Sequence, residues 1–151
     1  MNSIEFFVEG IPKPAGSKTA FAIKKGGVYT GRTVVMDACK KTKSWQATVK
    51  AEAKKHAPET PVVGAVWVEF RFFIPRPKSH FGTGKNSKLL KPSAPSDPVG
   101  KPDVLKLARA VEDAMTGIIY VDDSQIIVED LQKCYDPDHV HCGVLIKVFI
   151  K

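Results

Sequence analysis

Three aspartates and an arginine are the residues of this chain best able to do chemistry. Asp103 follows Pro102 at the head of the helix-like stretch KPDVLKLARAVEDAM, and Asp122 and Asp123 stand side by side in VDDSQI just beyond its end. Converging carboxylates hold hard divalent cations such as Mg2+ through oxygen. A cation so held offsets the charge of a phosphodiester and makes a bound water acidic, which is the chemistry of metal-assisted hydrolysis. Placed at about 100° per residue, Val104, Leu107, Ala108, Val111, Ala114 and Met115 form one apolar stripe. Leu105, Arg109, Glu112 and Thr116 fall together away from it, so Leu105 is a large aliphatic among polar neighbours. Each aspartate also has a plainer role, Asp103 as a helix N-cap and VDDSQI as an acidic turn into a strand. A helix of about 13 residues spans about 20 Å, so the two groups meet only where the chain folds back along the helix.

Charge is segregated along the 151 residues, whose net charge is +7. Residues 13 to 55 hold eleven Lys/Arg against two acids, and residues 75 to 101 hold six against one. Residues 102 to 138 reverse this, with three basic and nine acidic residues. An acidic patch inside a basic protein suits a nucleic-acid phosphodiesterase, where lysines hold the phosphate backbone and carboxylates hold cations. A solvated basic surface beside an acidic helix is the simpler alternative. MNSIEFFVEG has no basic n-region followed by a long apolar stretch, and the apolar runs are strand-length, so neither a signal peptide nor a membrane span is expected. Cys39, Cys134 and Cys142 are odd in number without a CxxC pair, which fits a reducing, cytoplasmic home. His139 and His141 beside Cys142 offer two or three zinc-type ligands, fewer than a closed site needs. Cys39 sits among lysines with no partner His or Asp suggested.

The elements that must position these residues follow from periodicity. Ile4 to Glu9 alternates as a first strand. GIPKPAGSK is a Pro/Gly turn, and AFAI and VYT flank KKGG as a hairpin with a basic tip. From about Lys41 to Ala57 the pattern is helical, with Trp45, Val49 and Ala53 spaced by four. Val62 to Ile74 is the clearest strand, with Val66, Val68, Phe70, Phe72 and Ile74 on one face. A basic Pro/Gly/Ser-rich loop over 76 to 101 precedes the central helix, and strands at 126 to 134 and 142 to 150 end the chain. A loop that long in a compact domain is usually functional or mobile. The order predicts one domain over 1 to 151 of mixed α/β (α+β) class, a small mixed sheet with two helices packed on one face.

The segment KPDVLKLARAVEDAMTGIIYVDDSQI resembles the signature of the RusA-type Holliday junction resolvases, endodeoxyribonucleases common in phages and prophages. Pro102, Asp103, Lys106, Asp113, Ala114, Asp122, Asp123 and Gln125 match it, and Met115 replaces a leucine of similar volume. VEGIPKPAGSK and KTKSWQATVKAEA resemble the family's opening strand with its turn and its first helix. Two positions depart from the pattern. Leu105 stands where the family has its second catalytic aspartate, and Arg109 stands where it has a lysine. Arginine keeps the charge but presents a planar fork, whereas leucine cannot bind a cation.

The resemblance implies a homodimer that resolves four-way DNA junctions by paired Mg2+-dependent nicks in recombination and repair, with Mn2+ as a possible substitute. Asp103 and Asp123 would ligate the metal with Asp122 nearby, and Arg109 would contact the scissile phosphate. Lys13, Lys18, Lys24 and Lys25, with Arg76, Lys78, Lys85 and Lys88 of the long loop, would hold the junction arms. Leu105 at a metal-ligand position implies impaired cleavage. The alternative is a protein that binds branched DNA without cutting it, its metal site vestigial. Either would work in the cytoplasm of a bacterial host.

Overall fold

Strict alternation sets the middle of the molecule. Val66, Val68, Phe70, Phe72 and Ile74 are buried, while Trp67, Glu69, Arg71 and Phe73 between them point to the other face of the strand. A computed structural model describes residues 1–16, 18–37, 41–138 and 140–151, and of residues 18, 19 and 35–37 the backbone alone. Its elements are β1 (Asn2–Glu9), β2 (Lys18–Lys25), β3 (Val28–Asp37), α1 (Thr42–His56), β4 (Val66–Ile74), α2 (Val104–Met115), β5 (Ile126–Tyr135) and β6 (Gly143–Ile150). Cys39 and His139 lie outside the described residues. Among the described residues, no helix is long and apolar enough to cross a membrane.

Strands β1, β6, β4 and β5 lie side by side in that order, with β4 antiparallel to β6 and parallel to β5. The parallel pair requires a crossover, and the long segment with α2 supplies it. Trp45, Val49 and Ala53 of α1 join Leu107, Ala108, Val111, Ala114 and Met115 of α2 in one core against the inward residues of β1, β4 and β6. The mixed sheet with two helices on one face, expected from the sequence, is the architecture observed. The other face carries Phe7, Trp67, Phe73, Leu145 and Phe149, all partly exposed, with the Trp67 and Phe149 rings 5.1 Å apart.

The hairpin β2–β3 forms a second, separate two-stranded sheet. Gly26 and Gly27 between its strands both have positive φ, 59° and 81°, as a two-residue turn of this hand requires. Phe21, Ile23, Val28 and Tyr29 are exposed on it. It is longer than AFAI and VYT suggested, because Gly31 interrupts the pattern in sequence without ending β3. The stretch between β4 and α2 is also less loose than its composition implies. It holds two short 3-10 turns and a bridge between Phe81 and Leu90. Arg76 pins it, donating from Nη1 to the Pro95 carbonyl at 2.6 Å and stacking 4.3 Å above the Tyr135 ring.

Candidate active site

The first turn of α2 presents Asp103 unspent. It is the N-cap residue, yet its carboxylate makes no capping hydrogen bond. Its Oδ2 instead lies 3.6 Å from Lys106 Nζ, and both groups are substantially exposed. The plainer reading of Asp103 as a side-chain cap therefore fails. The turn before it is fastened from the sheet: Lys133 of β5 donates from Nζ to the carbonyls of Gly100 at 2.6 Å and Pro102 at 2.9 Å. Two bonds from one ammonium fix the peptides on which Asp103 is mounted.

The Pro/Gly turn after β1 lies against the same helix. Ala15 N–H donates to the Lys106 carbonyl at 2.9 Å, and Thr42 Oγ1 donates to the Pro14 carbonyl at 2.6 Å. Gly16, at φ +94°, has no side chain, and Arg109 Cδ would lie only 3.2 Å from a Cβ built there. The bare backbone thus lets the Arg109 stem lie along the turn, holding an exposed guanidinium two turns of helix from the α2 N-terminus. Leu105 shares that face and is 66% exposed.

The acidic end is built by β5 returning along α2. Asp122 caps a short 3-10 turn, Asp123–Gln125, accepting from Ser124 N–H at 2.9 Å, while Gln125 Oε1 accepts from Asp122 N–H at 2.8 Å. The bond from Ser124 N–H holds the Asp122 carboxyl below its usual range. Gln125 Nε2 donates to the carbonyls of Val62 at 2.9 Å and Gly64 at 2.7 Å. Asp123 projects from this clamped turn close enough to Glu112 and Tyr120 to disfavour ionisation of both. Glu112, on the helix, faces Glu129 on β5 as a hydrogen-bonding carboxyl pair, and its Oε1 is buried without a partner.

Burial, followed by repulsion from Glu129, Asp123 and Asp113, pushes the Glu112 carboxyl up from 4.5 to about 7. A folded-state value above the unfolded one means that the folded protein binds this proton more tightly. The stability it contributes is complete below about pH 4.5 and is lost as pH rises through about 7. Glu112→Gln is therefore expected to be more heat-resistant than the parent at about pH 8, with the difference vanishing near pH 4.5. Paired thermal melts across that range check it, and parallel curves would show that Glu112 is not strained.

Asp103 thus stands at the head of α2, and Asp122 and Asp123 stand beside its far half. The helix between Asp103 and Glu112 rises roughly 14 Å at 1.5 Å per residue. Lys13 is partly buried beside the α2 N-terminus, and Lys24, Lys25, Lys78, Lys85 and Lys88 are exposed. Arg76 is engaged within its own loop, and of Lys18 only the backbone is described. His141 donates from its backbone N–H to Asp136 Oδ2 at 2.7 Å, and Cys142 Sγ lies 4.0 Å from the same oxygen. Glu112, Glu129 and Lys133 were not singled out by sequence. Glu112 had a signal, since it shares a helical face with Leu105 and Arg109. As a site for a hard divalent cation the donors fit in kind, all being carboxylates with one orphaned oxygen on Glu112. They fall short in number: among the described residues no three His, Cys, Asp or Glu side chains form a group able to hold one ion.

Comparison with known proteins bears on this site. The family model described as Endodeoxyribonuclease RusA matches residues 13–148, which takes in both helices and all the acidic residues above. An uncharacterized protein of Bacillus subtilis strain 168, YqaN, is 32% identical over 141 residues, covering 91% of this chain and 92% of its own.

Proposed function

The chain belongs to the RusA endodeoxyribonuclease family, and from that premise we propose that it binds four-way DNA junctions and is built to nick them in recombination and repair. The observation that carries this reading is the exposed face of α2. An aspartate released from capping, a lysine and an arginine lie along one flank of a helix whose far half meets Asp123. Lys106 and Arg109 hold the phosphate at the break, the arginine fork offering paired donors to its oxygens. Asp103 at the head of α2 and Asp123 beside its far half would each offer a carboxylate oxygen to a cation, with Asp122 serving mainly to hold the turn. Mg2+, or Mn2+ in its place, supplies charge neutralisation and an acidic water when bound there. The exposed lysines of the hairpin and the long loop hold the junction arms. Backbone contacts of this kind position a duplex without reading its sequence. The proposed setting is the cytoplasm of a bacterial cell.

Leu105 favours a second reading, a junction-binding protein that cuts slowly or not at all. It is exposed on the catalytic flank, and it occupies the place where the family signature has an aspartate. Incubation with a synthetic four-way junction, with and without Mg2+, separates the two when binding and nicking are scored independently. Failure to prefer the junction over linear duplex would defeat both.

Paired nicks need two sites, so the working unit is proposed to be a homodimer. Two uncovered apolar surfaces support it, the aromatic sheet face around Trp67 and Phe149 and the hairpin, which as an isolated two-stranded unit is marginal in water. Sedimentation at micromolar concentration is expected to give about twice the 16.5 kDa chain mass. A monomer that persists when junction is added would remove the symmetric model.

A further inference from the structure

A cleft of about 510 Å³ opens directly beside the α2 N-terminus, between the turn after β1 and the two ends of the long segment. Its volume lies within the roughly 300–1,000 Å³ of sites that enclose small molecules. Six of the residues around it are prolines, and Tyr135 forms part of the wall. Proline walls keep their shape because the ring fixes φ. The Tyr135 ring is held as well, with Arg76 stacked at 4.3 Å and His80 edge-on at 5.5 Å. Among the described residues lining the cleft, Lys13 and Lys101 carry charge and none is a carboxylate. Pro102, also on its wall, is the residue before Asp103. The cleft is therefore flat-sided, apolar, positively charged and adjacent to the carboxylate assigned to the reaction.

We propose that this cleft takes one nucleobase of the DNA, unstacked from the strand next to the phosphate held by Lys106 and Arg109. This rests on the junction-nuclease reading and adds a recognition site to it. The flat apolar walls match the faces of a base, and the two lysines match the phosphates on either side of it. Bases at a branch point have lost part of their stacking, so drawing one out costs least there. Because every base has a π-face, such a cleft strengthens binding at the crossover, and its shape sets which base fits.

The test uses four-way junctions carrying 2-aminopurine at each nucleotide flanking the crossover in turn, bound in chelator so that no strand is cut. Fluorescence is expected to rise severalfold at one position when the intact protein binds. Gly100 lines the cleft with open space where a Cβ would be and an ordinary φ, so Gly100→Phe fills the cleft while leaving the carbonyl held by Lys133. That variant is expected to abolish the rise and to weaken junction binding roughly tenfold, the scale of losing one base stack. Ile11→Asp, at an exposed lining residue, is expected to do the same by placing an anion in the cleft, and covers the case in which the phenylalanine disturbs folding. Junction binding with no fluorescence change at any flanking position, or a rise that survives both variants, overturns the inference and assigns the cleft to another occupant such as a protein segment. Absence of junction preference in the intact protein instead defeats the functional reading itself.

Discussion

Leu105→Asp is expected to raise Mg2+-dependent cleavage of a four-way junction by roughly a thousandfold or more, the scale of several kcal/mol of transition-state stabilisation from one essential metal ligand. Leu105 is the second residue of α2 and is 66% exposed, so its replacement opens no cavity and touches no core contact. A new carboxylate there stands one turn before Arg109 and near the helix N-terminus, where the backbone dipole favours negative charge. It also sets a second carboxylate beside Asp103 at the helix head, and more oxygen ligands suit Mg2+, which demands near-octahedral oxygen and sheds water reluctantly. Stability is expected to stay within about 0.5 kcal/mol, as at most surface positions. Single-turnover nicking assays on the parent, the Asp variant and a Leu105→Asn control measure the effect. A parent that already cuts as fast as the Asp variant would show that Leu105 does not occupy a ligand position.

Junction affinity is expected to fall by about a thousandfold between 50 and 200 mM salt, and to survive removal of divalent metal. Each Lys or Arg that neutralises a phosphate releases condensed counterions and adds about −0.9 to the log–log slope, so six contacts suffice for a loss of this size. Lys13, Lys24, Lys25, Lys78, Lys85 and Lys88 make six positions at which the chain can supply one. Arg76 is not counted, because its guanidinium is committed to Pro95 and Tyr135. Replacing it should loosen the long loop rather than remove a single contact from the slope. Fluorescence anisotropy of a labelled junction in chelator, titrated with KCl, tests this. A flat dependence would remove nucleic acid as the partner.

The parts of this architecture that could be read from sequence are those whose signal is local. The burial of β4 and α2 follows from periods of two and 3.6, and each residue assigned to their inward faces lies inward or partly so. The turn at Gly26–Gly27 follows from glycine alone. Asp122 as a cap was legible in principle, since Asp at the cap with Gln three residues on is a capping-box pattern. The rest depends on register between distant strands. Whether Asp103 caps its helix is decided by Lys106 and by the Lys133 grip on the preceding carbonyls, and Lys133 arrives there only because β5 runs parallel to β4 with Phe72 opposite it. The Glu112–Glu129 pair has the same origin. Charge counts could place an acidic patch in the segment without saying which carboxylates face one another.

Gln125 ties the acidic turn to the stretch just before the middle strand of the sheet. One side-chain amide grips Val62 and Gly64 while its oxygen holds Asp122, and Val62 is itself bonded to Ile119 and Val121. The turn is thus a stiff bracket, and on the proposed function a pull on Asp123 would pass into the stretch before β4. Its amides should exchange with solvent only when that end of the sheet comes loose, late among the opening events of the molecule. On the proposed function, the give needed for bulky branched DNA to enter and leave would then come from elsewhere, from the hairpin, which forms a sheet of its own.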